Sequence, residues 1–294
     1  LDIVRRLPEE IVFIETDERM VTYIACGKVN YQIVGMSSVE YPDLPSFEQT
    51  DRITLNAKIL RDMIRQTVYA VSENTAKPIY TGSLYEIEDG VFKIIAIDGY
   101  RMAIRSENVD SESKNRFVVP GKTQHEVLKL LTDDEENTEI IIGQRHITFK
   151  IKNYRIISRL IEGTFIEYKS AIPKETKTEV VINTRTIIDA VERMSLLNND
   201  RIQSPVRCIF SDDEIKLSCT SAVGRANDVI SVPIIGESVE IGFNNRYLLD
   251  ALKNADTDEI KLILNGSLTA MIVKPVKGDS YLSIVVPMRL ANES

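Results

Sequence analysis

Shifted by 127 positions, this chain begins to match itself, and that duplication limits what it can fold into more than any single motif. Asn56 in Ile53-Thr54-Leu55-Asn56 meets Asn183 in Val180-Val181-Ile182-Asn183, and 183 − 56 = 127. Glu40-Tyr41 meets Glu167-Tyr168 at the same offset, since 168 − 41 = 127. Two independent anchors with one spacing mean duplicated domains, and a unit of this length is a whole domain rather than one turn of a solenoid.

The same shift places the start of the chain inside a unit. Leu1 to Leu7, then acids, then Ile11 to Ile14, corresponds to Val127 to Leu131, then acids, then Ile140 to Ile142. The expected organisation is therefore a partial domain over 1–50 followed by complete domains over 51–174 and 175–294. Against ordinary domain sizes, the first lacks roughly 75 residues ahead of Leu1. The alternative, a natural half-domain capping two whole ones, would leave half a core unburied.

With 43% hydrophobic and 27% charged residues among 294, the sequence is that of a globular protein with room for two or three cores. No run approaches the ~18 apolar residues of a membrane span. Cys26, Cys208 and Cys219 are odd in number, lack metal spacing and sit in strand-like runs. Buried reduced thiols and a cytosolic location are expected. The net charge of −8 argues against indiscriminate coating of nucleic acid, but not against cations segregated onto one surface. Proline marks the short linkers, at Pro42 to Pro45 and at Pro173 before the charged run Lys174 to Lys177.

Each Asn anchor precedes a helical pattern. Leu60, Ile64, Val68 and Val71 form an apolar stripe, Lys58, Arg61 and Arg65 fall on another face, and Asn56 is placed as an N-cap. The pattern returns with Asn183 before Ile187, Ile188, Val191 and Met194, and with Asn244 before Leu248, Leu249 and Leu252. Val119-Pro120-Gly121 introduces another helix through Val127, Leu128 and Leu131. The intervening segments are strand-like: Ser83 to Glu88 turns at Asp89-Gly90 into Val91 to Ile97, a strong hairpin signal. Thr138 to Ile142, Ile147 to Ile151, Ile215 to Cys219, Glu259 to Leu264 and Leu268 to Val273 repeat the theme. Each unit thus reads as two copies of a helix followed by about four antiparallel strands, an α+β layer architecture.

Catalytic constellations are absent from the pattern. His125 on a helix and His146 in an expected turn belong to no pair, and there is no Gly-rich phosphate loop or nucleophile elbow. The acids at Asp133 to Glu136 and Asp212 to Glu214 read as solvated turns. No enzyme activity, metal or cofactor is expected.

Four blocks carry a family resemblance. Pro78-Ile79-Tyr80-Thr81-Gly82 precedes Ala96-Ile97-Asp98-Gly99-Tyr100-Arg101-Met102-Ala103; Gly242 to Asp250 follows, and the sequence closes on Val286-Pro287-Met288-Arg289-Leu290. In order and spacing these resemble the bacterial DNA polymerase III beta subunit, the replication sliding clamp, over the whole chain. The resemblance implies like-folded clamp domains closing as a head-to-tail homodimer around duplex DNA. Helices would line the hole with sheets outside, in the bacterial cytoplasm at the nucleoid. It also implies tethering of the replicative polymerase, and docking of the clamp loader and repair proteins through short linear peptides.

Carried over position by position, the peptide cleft would comprise Tyr80, Ile97, Gly99, Tyr100, Arg101 and Met102, with Ile166, Ser170 and Ala171. Asn244, Tyr247, Leu268, Ala270 and the run Val285, Val286, Pro287, Met288, Arg289, Leu290 would complete it. Aliphatic walls with an aromatic and an arginine suit an extended peptide with Leu or Phe anchors. The DNA-facing cations would be Lys58, Arg61 and Arg65, Lys122 and Lys129, Arg185 and Arg193, and Arg246 and Lys253. For any one helix the ordinary alternative is a solvated face; recurrence on four helices of an acidic chain favours DNA. The dimer contact would set Tyr31 and Ile33, on an edge strand, against Leu196 and Leu197 at a helix end, and the partial first domain is expected to weaken it.

Family members often have histidine at Tyr100, arginine at Ser170 and methionine at Val286, which bears on peptide preference. Arg201 to Pro205 aligns poorly, with Ile202 as the one cleft candidate, and Ala291 to Ser294 extend past the usual leucine end and could crowd the cleft. Two other classes stay open on sequence alone: a peptide-binding scaffold that does not encircle DNA, and a repeat-containing carbohydrate-active enzyme.

Overall fold

In the computed structural model, residues 2–8, 11–41, 49–132, 136–197 and 204–290 are described. The acids at 133–135, the candidate Ile202, the linker prolines at 42 and 45 and the terminal 291–294 lie outside them. The chain divides into two compact units, Leu1–Phe47 and Glu48–Ser294.

The first unit is an antiparallel sheet of β1 (Phe13–Thr16), β2 (Val21–Cys26) and β3 (Val29–Val34), in that spatial order. Among its described residues only Ile24 and Cys26 belong to the buried core, while Phe13, Ile14, Val34 and Met36 are exposed.

In the second unit the order is β4 (Gln49–Asn56), α1 (Ala57–Val68), β5 (Gly82–Glu88), β6 (Val91–Ile97), β7 (Arg101–Asn108), β8 (Asn115–Pro120), α2 (Gly121–Leu130), β9 (Asn137–Gly143), β10 (His146–Ile151) and β11 (Tyr154–Arg159). There follow β12 (Thr178–Asn183), α3 (Thr184–Ser195), β13 (Val206–Ser211), β14 (Glu214–Ser221), β15 (Gly224–Ser231), β16 (Ile234–Gly236), β17 (Val239–Phe243), α4 (Asn245–Lys253), β18 (Glu259–Leu264), β19 (Met271–Pro275) and β20 (Tyr281–Val285). Helices α1 and α3 are in register with the repeat at both ends, since 184 − 57 = 127 and 195 − 68 = 127.

The reasons are local. Asn56, Asn183 and Asn244 each accept backbone N–H bonds from the first turn of α1, α3 and α4, which satisfies donors the helix cannot. Asp89 and Gly90 both take positive φ, the turn that matches the right-handed twist of a hairpin, so β5 pairs with β6 from Glu88↔Val91 onward. The three cysteines are buried and form no disulfide with one another, and burial pushes the Cys208 thiol up to about 12.

Several expectations need correction. Val71 lies beyond α1, which ends at Val68. His146 opens β10 rather than occupying a turn. Leu268 to Ala270 are not strand: Gly266 at φ +89° turns the chain, and pairing resumes at Met271. Within 51–174 only β9 to β11 follow α2, and only β18 to β20 follow α4, whereas five strands, β13 to β17, lie between α3 and α4.

The decisive feature is one nine-stranded sheet, β16-β12-β18-β19-β20-β7-β6-β5-β8, that runs through both repeats. Its β7–β20 ladder, Arg101↔Val285 to Arg105↔Tyr281, joins residues of 51–174 to residues of 175–294. Alternation along these strands gives two cores, as the period-2 pleat requires. Tyr85, Ile87, Phe92 and Ile94 pack beneath α1 and α2, whereas Leu84, Ile95, Met102, Ile104, Ile272 and Ile284 form a core on the opposite face with Phe165 and Tyr168. Four-stranded sheets β11-β10-β9-β4 and β15-β14-β13-β17 complete the unit, and α1 packs on α2 as α3 packs on α4.

Candidate functional site

The seam turns sharply at Asp98-Gly99-Tyr100-Arg101, between β6 and β7. Asp98 Oδ1 accepts the N–H groups of Tyr100 at 2.8 Å and Arg101 at 3.0 Å, and Gly99 adopts φ +95°, which side chains disfavour. Arg101 is thereby aimed inward. Its Nε donates to Asp98 Oδ2 at 2.9 Å, and its Nη1 donates to Asp250 Oδ2 on α4. Its guanidinium carbon lies 5.4 Å from the Tyr69 ring centre and 4.7 Å from that of Tyr247. Below it, the Tyr69 hydroxyl meets Ser283 Oγ at 2.9 Å and the Tyr281 hydroxyl at 3.0 Å, and burial raises the Tyr69 pKa to about 12.

The closing run of the chain is tied to both repeats. Val286 N–H donates to the Tyr100 carbonyl at 2.9 Å, and Met288 N–H to the Gly242 carbonyl at 2.8 Å. Gly242 is the residue that permits this approach. A Cβ there would sit 2.6 Å from Leu290 Cδ2 and 3.0 Å from the Met288 carbonyl oxygen.

Over the seam opens a cavity of about 670 Å³. Of the expected cleft residues, Tyr80, Ile97, Gly99, Tyr100, Arg101, Ile166 and Tyr247 line it. Ala270 packs with Tyr80 and Ile97 in the core beneath. Met102 and Val285 do not form cleft wall, because strand alternation buries them at 2% and 0% exposure. Asn244 caps α4, Ser170 and Ala171 lie exposed on the short 3-10 turn Tyr168–Ala171, and Leu268 projects from a turn into solvent. Val286 and Arg289 are exposed, and Pro287, Met288 and Leu290 are half-buried in the closing run. Sequence reasoning missed Tyr69, and it quoted Asp98, Gly242 and Asp250 only within the blocks of resemblance, without a role at the site; tertiary pairing supplies those roles.

The expected DNA-facing cations lie on helices, but most already hold a carboxylate. Arg61 and Arg65 reach Asp62, and Arg65 also reaches Asp256. Lys129 pairs with Glu126 at 2.7 Å, Arg185 with Asp189 at 2.8 Å and Lys253 with Glu192 at 2.6 Å, while Arg193 Nε meets Asp228 at 2.8 Å. Arg246 turns to Glu73 at 3.5 Å and lines the seam cavity rather than only a helix face. Lys58 and Lys122 are exposed and carry no carboxylate partner among the described residues.

Of the expected dimer residues, Tyr31 and Ile33 are exposed on β3, an edge of its sheet. In the other unit, Leu196 caps α3 and is exposed, and Leu197 packs against the adjoining core.

The family model for the DNA polymerase III beta subunit central domain matches residues 54–167, and that for its C-terminal domain matches 169–289. The beta sliding clamps of Halalkalibacterium halodurans and Bacillus subtilis are each 32% identical, over 98% of this chain and 78% of their own length. This chain belongs to the DNA polymerase III beta subunit family. The solved Bacillus subtilis sliding clamp superposes with a TM-score of 0.95 at 32% identity, covering 99% of this chain and 78% of that one. A Pseudomonas aeruginosa clamp gives 0.92 at 26% identity, covering 98% and 80%. As a beta subunit the chain is a processivity clamp of DNA replication and is non-catalytic. No helix of the described residues is long and apolar enough to cross a membrane, and those residues hold no cluster suited to a metal ion.

Proposed function

We propose that this beta subunit encircles duplex DNA as a head-to-tail homodimer in the bacterial cytoplasm, at the nucleoid. In this account 1–50, 51–174 and 175–294 belong to successive clamp domains. The seam cavity docks short linear peptides of the replicative polymerase, the clamp loader and repair proteins. The observation that carries the docking role is the cavity of about 670 Å³ at the β7–β20 ladder, with apolar walls from Tyr80, Ile97 and Ile166 and a fixed arginine at its floor. Such a floor suits an extended peptide with Leu or Phe anchors and a polar residue beside them. Ser170, Ala171, Leu268 and the run Val286 to Leu290 form its rim.

The ring closes, on this proposal, where the β3 edge of one copy, bearing Tyr31 and Ile33, meets Leu196 and Leu197 of the other. Helices α1 to α4 face DNA. Sparse cations against phosphates give sequence-independent attraction that permits sliding, and closed topology prevents escape, so no bond is made or broken.

Titration of a fluorescent peptide of the form Gln-Leu-x-Leu-Phe tests the docking site. Saturable binding that is lost in both Arg101→Ala and Met288→Ala is expected; undiminished binding in both variants would move the site elsewhere. Retention on closed circular DNA, with release on linearisation, tests encirclement. Equal loss from both forms would favour a scaffold that binds peptides without a ring.

A further inference from the structure

A second cavity lies where the repeat repeats its own closing contact. Shifted by 127, Leu160-Ile161-Glu162-Gly163 falls on Pro287-Met288-Arg289-Leu290, and each run follows the last strand of its repeat. Each also bridges the edge of another strand. Ile161 N–H donates to the Val118 carbonyl on β8 at 2.9 Å, as Met288 N–H donates to the Gly242 carbonyl on β17 at 2.8 Å. Beyond that bond the two differ. At β17 a glycine lets the run press onto the strand, so that a Cβ would sit 2.6 Å from Leu290 Cδ2. At β8 a valine stands in that place, and the run turns away at Gly163, with φ +135°. A cavity of about 420 Å³ opens there.

Leu84, Val118, Ile161 and Phe165 supply its apolar side, and Arg116 and Arg145 line it from exposed positions. Neither guanidinium makes a hydrogen bond among the described residues. Arg116 lies 3.8 Å from Glu86 and 3.9 Å from Glu167, and Arg145 lies 3.9 Å from Glu162, all beyond hydrogen-bond reach. Glu86 is engaged instead by the Tyr168 hydroxyl at 2.7 Å, and Glu162 by Arg159 at 3.4 Å. Two planar donor forks without a bonded acceptor therefore face one apolar cavity, and a carboxylate matches such forks. The backbone is open as well. Strand alternation turns the N–H and C=O of Arg116 the same way as those of Val118, away from β5. With the run departed at Gly163, they meet no backbone partner among the described residues.

We infer that the β8 edge is a second docking site, which takes an extended segment of a partner protein carrying an acidic residue two positions from an apolar one. Main-chain bonds to Arg116 add the segment to the sheet edge, as in strand addition. Side chains two apart share a face, so the apolar one fills the cavity while the carboxylate meets Arg116 and Arg145. No residue lines both this cavity and the one at the seam, and the inference does not rest on peptide docking there.

The test is selection from a random seven-residue peptide library on the full chain, with Gln-Leu-Ser-Leu-Phe in excess to fill the seam. Enriched peptides should share Asp or Glu two positions from Leu, Ile, Val or Phe. Binding is read locally from an environment-sensitive dye on Thr164→Cys, since Thr164 is exposed and the three natural cysteines are buried. The best peptide should change the dye emission saturably, and should bind Arg116→Gln/Arg145→Gln about tenfold more weakly at an unchanged unfolding temperature. Arg116→Glu should reject that peptide and accept its Lys counterpart, a reversal that an unfolded variant would not give. No enrichment, enrichment without the acid, an unaltered dye, or equal affinity for the wild type and the double glutamine variant would overturn the inference.

Discussion

Arg101 and Arg185 lie in the same unit and both pair with aspartates, but in opposite settings. The Arg101 side chain is 6% exposed, held between Asp98 and Asp250 and flanked by the rings of Tyr69 and Tyr247. The Arg185 side chain is 75% exposed and meets only Asp189, one helical turn along α3. A buried, doubly paired cation cannot be removed without leaving the largely buried Asp98 carboxylate and the partly exposed Asp250 carboxylate unpaired, whereas an exposed pair is screened and worth little. The seam therefore uses charge to fix geometry. The helix faces keep theirs exchangeable, as the proposed sliding on phosphates would require.

The sharpest way to break this contrast is to remove each arginine. Arg101→Ala should cost about 3–5 kcal/mol in urea unfolding, and Arg185→Ala no more than ~1 kcal/mol. Similar losses in the two variants would erase the distinction.

Alkaline titration addresses the tyrosines under Arg101. Burial raises the Tyr69 pKa to about 12, whereas an exposed tyrosine titrates near 10, so the unfolded chain releases this proton first. The resulting stabilisation is complete below pH ~10 and is lost as pH rises towards 12, by on the order of 2–3 kcal/mol. Tyr69→Phe should flatten that part of the profile; an identical alkaline slope in the variant would count against a buried seam.

Gly242→Ala should cost about 1–3 kcal/mol by overpacking against Leu290 and Met288, and should weaken peptide binding by loosening the cleft rim. Unchanged peptide affinity would detach the closing run from the site.

The smallest effect concerns salt. Of the nine cations on α1 to α4, only Lys58 and Lys122 hold no carboxylate partner among the described residues. Log K for duplex DNA should then fall against log salt with a slope of about −2 per chain rather than about −8. A slope near −8 would mean that the carboxylates are displaced on binding.

Much of the fold was legible because its causes are local. The capping asparagines, the Asp89-Gly90 turn and the spacing of Leu60, Ile64 and Val68 act within a few residues of themselves. The strand expected from Leu268 began instead at Met271, because apolar character alone does not reveal a turn made by Gly266. The seam was legible only in part. Resemblance named Arg101 and Tyr247, but the β7–β20 register, Asp250, Tyr69 and the close approach at Gly242 depend on segments far apart in sequence. Strand alternation, invisible to a position-by-position transfer, decided that Met102 and Val285 belong to the core. Nor did a sequence count of basic residues show that their carboxylate partners lie on the same faces.

The most direct measurement is a crystal structure of the chain with a Gln-Leu-x-Leu-Phe peptide bound. Docking at the seam predicts peptide density between Tyr80, Arg101 and Met288, with the closing run still bonded to Tyr100 and Gly242. Density confined to another site, such as the cavity of about 420 Å³ beside Arg116 and Phe165, with the seam empty, would contradict it.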